Sequence, residues 1–156
     1  ITGKKICLFG FAFKKDTGDT RETAAAYVAK YLLDEDAVIT IYDPQVEEED
    51  MWLEFKYTLG ITEETHPNLK KSIVLVSDPY EAAQDSHAIA IMTEWDEFKS
   101  YDYQKIYESM TKPAFMFDGR NILDHQSLFD IGFEVQCIGK QLPSHFDEWA
   151  SFILVL

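Results

Sequence analysis

The chain has 156 residues, 46% of them hydrophobic and 14% aromatic, which is enough to bury a core and argues against disorder. Its 28 acidic residues against 14 basic ones give a formal net charge of −14, so nucleic acid is not expected as a partner, because a phosphate backbone calls for a basic stripe. No apolar run approaches the ~20 residues of a spanning helix and no secretory leader is read, so neither membrane insertion nor export is expected.

Elements can be predicted in chain order. Ile6-Cys7-Leu8-Phe9 is a short continuous apolar run and predicts a strand buried on both faces, ended by Gly10. Asp19, with Glu22 three residues on, resembles a capping box. It predicts a helix through about Asp34, with Ala24, Ala25, Val28 and Leu32 on one face. Val38 to Tyr42 is the second strand, and Asp43-Pro44 reads as its stop. Met51, Trp52, Leu53 and Phe55 predict a short helix, and 56–71 a loop. Ile73 to Val76 is the third strand, followed by a short helix from Asp78-Pro79 to about Ala83. Ala88 to Met92 is the fourth strand, and 96–110 is partly helical. Ala114 to Phe117 is the fifth strand. Leu123 to Ile131 is a helix stopped by Gly132, and Phe133 to Ile138 is the sixth strand. Strands alternate with helices throughout. The expected fold is α/β: a doubly wound, mostly parallel, six-stranded Rossmann-like sheet with helices on both faces. Residues 1–140 form the expected domain, and 141–156 an apolar tail whose Phe146, Trp149, Phe152, Ile153 and Leu156 would make a stripe if helical. The chain starts at Ile1 and enters a strand almost at once, so it is read as a piece of a longer protein.

Ligands of such sheets bind beyond the carboxyl ends of the strands. The residues there are Phe13, Lys14 and Lys15 after the first strand, Asp43 after the second and Asp78 after the third. Thr93, Glu94 and Trp95 follow the fourth, and Asp118, Gly119 and Arg120 the fifth. The chain's only two arginines, Arg21 and Arg120, fall near this edge with Lys14 and Lys15. Scarce positive charge gathered at one edge of an acidic protein points to an anionic ligand. The competing reading pairs each cation with a nearby carboxylate: Asp16 or Asp19 for the lysines, Asp118 for Arg120. A dinucleotide cradle needs G-x-G-x-x-G, whereas Gly10 is followed by Ala12 and Lys15 at the other glycine positions. Classical NAD binding is therefore not expected here. Asp43 could serve a ribose, but the ordinary strand stop is preferred. The four histidines lack ligand spacing, so no metal is expected. Cys7 and Cys137 lie in apolar runs and are expected as buried hydrophobes in a reducing, cytoplasmic compartment, with no catalytic role.

The run from Gly10 through Glu22, GFAFKKDTGDTRE, resembles the signature that opens the C-terminal, UDP-binding domain of the UDP-glucose 6-dehydrogenase family, in its animal form. Tyr42-Asp43-Pro44, Asp78-Pro79-Tyr80, Thr93-Glu94-Trp95 and Phe117-Asp118-Gly119-Arg120 match further signposts in the same order, so the resemblance spans about 4–140. It implies an enzyme that oxidises UDP-glucose to UDP-glucuronate with NAD through a cysteine-bound intermediate. The catalytic cysteine and the NAD cradle would lie on N-terminal and central domains absent from this stretch, in an enzyme that is a homo-oligomer. The fragment alone would be inactive. Carried over by motif, Phe13 and Lys14 would contact the UDP-sugar, Arg120 its UDP portion, and Arg21 the NAD held on the other domain. Asn121 stands where the animal enzymes commonly show a second arginine. The alternatives are a non-enzymatic oligomerisation module of the same fold and a free-standing NAD-binding domain.

Overall fold

The structure is a computed structural model that describes residues 1–147. Six strands form one sheet: β1 Lys5–Phe9, β2 Val38–Tyr42, β3 Ile73–Leu75, β4 Ala88–Ile91, β5 Phe115–Asp118 and β6 Glu134–Cys137. Every pairing is parallel, in the order β3-β2-β1-β4-β5-β6. The direction of winding reverses between β1 and β4. Such a reversal sends the crossovers on its two sides over opposite faces, so that helices cover both. The helices are α1 Ala24–Asp34, α2 Glu48–Leu59, α3 Leu69–Ser72, α4 Pro79–Ala83, α5 Tyr103–Ser109 and α6 His125–Ile131, with a 3₁₀ turn at Asp96–Ser100. On one side α1 packs on α2; elsewhere α5 packs on both α4 and α6.

Double coverage explains the unbroken apolar strands. Cys7, Leu8, Phe9, Ile39, Ile41, Ile89 and Ile91 are all fully buried. Register then sets the functional edge. Phe9 lies opposite Tyr42 on one side and Ile91 on the other, and Ile91 lies opposite Asp118. The carboxyl ends of four central strands therefore finish in one row, and the loops that leave them start level.

Three expectations need correction. Helix α1 starts at Ala24, capped by Thr23, and not at Asp19, and it buries Ala25, Ala26, Ala29 and Leu33 while Ala24 is exposed. Glu22 has φ +53, outside the helical region, and the Asp19 carboxylate is engaged by Arg21. The stretch 56–71 is not all loop: α2 runs on to Leu59, where Gly60 closes it at φ +66, and α3 occupies Leu69–Ser72. Cys137 is half-buried at the edge strand, whereas Cys7 is fully buried as expected. The segment after β6 is tied back to it, since Ser144 Oγ and the His145 N–H donate to the Glu134 carboxylate. Of the expected tail stripe, Phe146 is described and half-exposed; Trp149, Phe152, Ile153 and Leu156 lie outside the described residues.

Candidate functional site

The row of strand ends holds two buried aspartates, and each organises a loop. Asp43 closes β2. Its Oδ2 accepts the backbone N–H groups of Phe11 (2.8 Å) and Ala12 (2.9 Å) and the Trp95 indole N–H (3.1 Å). Its Oδ1 accepts from the N–H groups of Gln45 (2.9 Å) and Val46 (3.1 Å). A buried carboxylate is tolerated only when its lone pairs are met, and here N–H groups meet both oxygens. Asp43 is thus more than the strand stop read from Asp-Pro, and it is not free to bind a ribose. Asp118 closes β5, fully buried. Its Oδ1 accepts the Arg120 N–H (3.2 Å), and its Oδ2 the Leu123 N–H (2.9 Å) and contacts His125 Nε2 (2.8 Å). One aspartate therefore shapes the turn that carries Phe13 and Lys14, and the other shapes the loop that carries Arg120.

Gly10 sits at the switch between β1 and β4 with φ +95, and a Cβ there would lie 2.4 Å from the Thr93 Cβ. Only glycine allows that approach. Thr93 Oγ1 donates to the Ala12 carbonyl at 2.8 Å, which fastens the turn to the loop after β4. Phe13 and Lys14 consequently project outward. Phe13 is 57% exposed, and no hydrogen bond or ion pair engages the Lys14 ammonium among the described residues. Lys15 turns the other way, with its ammonium on Asp96 (3.2 Å) and its N–H directed at Glu94 Oε1 (3.4 Å). The second oxygen of Glu94 is 2.5 Å from Arg120 Nη2. Glu94 therefore links the first turn to the fifth-strand loop.

The carboxylate pairings expected as the alternative to an anion site are made in part, but with other partners: Asp96 in place of Asp16 or Asp19 for Lys15, and Glu94 in place of Asp118 for Arg120. Arg21 binds Asp19 through Nε and Nη2 (2.7–3.3 Å), and this pair holds the Asp19 carboxyl down to about 2. With its side chain 86% exposed, Arg21 lines an open groove of about 780 Å³ with Phe13, Thr20, Leu53 and Tyr57. The four predicted residues thus do not share one hollow. Phe13 and Arg21 line the groove beside α2, whereas Arg120 lies by Glu94 and Lys14 stands exposed.

The turn does not fit a dinucleotide in the classical way. The N–H groups of Phe11 and Ala12, which follow directly on Gly10, are already taken by Asp43, and Lys15 carries its side chain across to Asp96. Burial pushes the Cys7 thiol up to about 12, despite the Thr40 hydroxyl, so it offers no thiolate. Among the described residues no cluster of His, Cys, Asp or Glu could hold a metal ion, and no helix is long and apolar enough to cross a membrane.

Asp43, Glu94 and Asp118 were the residues that sequence reasoning placed at the edge without assigning them this work. Their signal was position: each stands within three residues of a strand end. Nothing local distinguishes such a carboxylate from a solvated one.

Comparison with known proteins shows the family and the fold. Residues 7–125 match the model of the UDP-glucose/GDP-mannose dehydrogenase family, UDP binding domain. UDP-glucose 6-dehydrogenase of Gallus gallus is 46% identical over 153 residues, 97% of this chain and 30% of that protein. The Drosophila melanogaster protein of the same name is 50% identical over 148 residues, 90% of this chain and 29% of that protein. The chain thus spans about 30% of the length of these relatives. In three dimensions it is similar to NDP-N-acetyl-D-galactosaminuronic acid dehydrogenase from Methanosarcina mazei Go1, with a TM-score of 0.70 over 90% of this chain and 25% of that one. At 21% identity that likeness speaks for the fold.

Proposed function

This chain belongs to the UDP-glucose/GDP-mannose dehydrogenase family as its UDP-binding domain, and from that premise we propose that it binds the UDP portion of a UDP-sugar, UDP-glucose first of all. The observation that carries the proposal is an exposed Lys14 with no hydrogen bond or ion pair among the described residues. It sits on a turn fastened at three points to a fixed frame, at the end of the sheet where such folds hold ligands. An exposed ammonium with no hydrogen bond, near an Asp19 carboxylate that Arg21 already holds, favours a phosphate in a protein of net charge −14. Phe13, beside it, offers an exposed aromatic face, and Arg120 keeps donors beyond the one directed at Glu94. Arg21, across the groove, is assigned to NAD held by another domain.

The whole protein would then be a cytoplasmic, homo-oligomeric UDP-glucose 6-dehydrogenase. NAD would bind mainly on N-terminal and central domains outside this stretch and supply the oxidising power. This stretch, domain 1–140 with its tail, would be inactive alone, since the catalytic cysteine and the NAD cradle would lie on those other domains. The assembly role draws on Phe117 and Phe146, which leave 43% and 53% of their surface exposed.

Calorimetric titration with UDP tests the proposal. One charge-assisted contact is worth about 1.5–3 kcal/mol, so Lys14→Ala and Arg120→Ala should each weaken UDP roughly tenfold or more. Unchanged affinity in both variants would sink the assignment.

A further inference from the structure

We infer that Asp43, which touches no ligand, is the positioning residue of the site, because its one carboxylate holds the lysine-bearing turn, the loop after β2 and the loop after β4 in fixed relation. The inference rests on the UDP-binding reading. Five N–H groups from those three segments converge on it: Phe11 and Ala12, Gln45 and Val46, and the Trp95 indole. Trp95 is buried, and its neighbour Glu94 reaches both the Lys15 N–H and the Arg120 guanidinium. Asp43 therefore sets where Lys14 stands relative to Arg120, although it contacts neither.

In a dinucleotide cradle the N–H groups that follow the first glycine face the ligand's pyrophosphate. Here the protein supplies its own anion at that place. The carboxylate turns a cradle into a strut, and ligand charge must be met further out, by side chains that project from the strut. This is why Phe13 and Lys14 point outward while Phe11 and Ala12 are buried.

The amide of Asp43→Asn cannot replace this carboxylate. Whichever way it turns, its NH₂ group faces at least two of the five N–H donors. We expect UDP affinity to fall about tenfold or more, together with a shift of the Trp95 indole N–H resonance. A purely structural role is separated by Ile106→Val, a core change in α5 remote from the site. At a comparable loss of melting temperature it should keep wild-type UDP affinity. Wild-type affinity in Asp43→Asn, or an equal loss of affinity in Ile106→Val, overturns the inference while leaving UDP binding intact. A wild-type chain that does not bind UDP overturns the functional reading and this inference with it.

Discussion

Arg21 and Asp19 form a pair whose chemistry can be read directly against pH. The Arg21 guanidinium, with help from its own N–H, takes the Asp19 carboxyl from an ordinary 3.8 down to about 2. A carboxyl whose pKa is depressed on folding adds stability above its unfolded value, and that contribution is lost as pH falls toward the folded value. The stability difference between wild type and Arg21→Ala should therefore be present at pH 5, shrink below about 3.8 and run out as pH falls through about 2. Both groups reach solvent, so the difference should be modest and should fade with salt. Urea midpoints across that pH range measure it; a difference of undiminished size at pH 2 would mean Arg21 acts through packing. The same pair explains a failure of sequence reading. Asp19 with Glu22 matches a capping pattern, but a better partner two residues away removes the carboxylate from that use. Asp43 is the complementary case. An Asp before a Pro ends many strands, and only the fold reveals that five N–H groups meet on this one. The place of Lys14 and Arg120 beyond the strand ends, by contrast, was legible from the strand pattern, and the presence of only two arginines in a chain of net charge −14 directed attention there.

Helix α2 shows where patterns fail at the scale of an element. Its first turn carries Glu48, Glu49 and Asp50, which suit a helix N-terminus, and Lys56 sits in the last turn. Yet its buried face is Met51, Glu54 and Phe55. Past Phe55 the apolar periodicity fades through Lys56, Tyr57 and Thr58, so the sequence suggests a shorter helix and a longer loop. Glu54 is buried because it accepts the Glu22 N–H at 2.6 Å, a tertiary contact with no local signal. The central strands β1 and β4 were legible for the opposite reason: burial on both faces writes itself as a continuous apolar run. Gly60 ends α2 at φ +66 with open space around the position of a Cβ. A substitution there meets no clash, only the cost of left-handed backbone. Gly60→Ala should destabilise by about 1 kcal/mol and leave UDP affinity unchanged, as denaturant midpoints and titration can check. A loss of 3 kcal/mol or more would indicate that the 60–68 loop is packed more tightly than the structure implies.

Charge acts on the molecule as a whole. A UDP anion approaching this domain meets a net charge of −14 before it meets Lys14. Around the site itself stand Asp19, Glu94 and Asp96, each already paired with a cation. At contact the lysine should prevail, because a charge-assisted hydrogen bond is strong at short range. At a distance the excess of carboxylates prevails, and that part is screened beyond about 30 Å at 0.01 M salt and about 10 Å at 0.1 M. The two ranges separate in kinetics. Raising salt across that interval should speed the association of UDP, the reverse of the slowing seen when opposite charges steer an encounter. Dissociation should quicken too, since the contact itself is weakened. Stopped-flow rates with UDP would show both. In Lys14→Ala the rise in association rate should remain, because it comes from the bulk of the acidic surface, while dissociation should be fast at every salt concentration. Association that slows with salt in the wild type would mean that Lys14 and its neighbours govern the field at encounter distance, and that the acidic surface is too far from the site to matter.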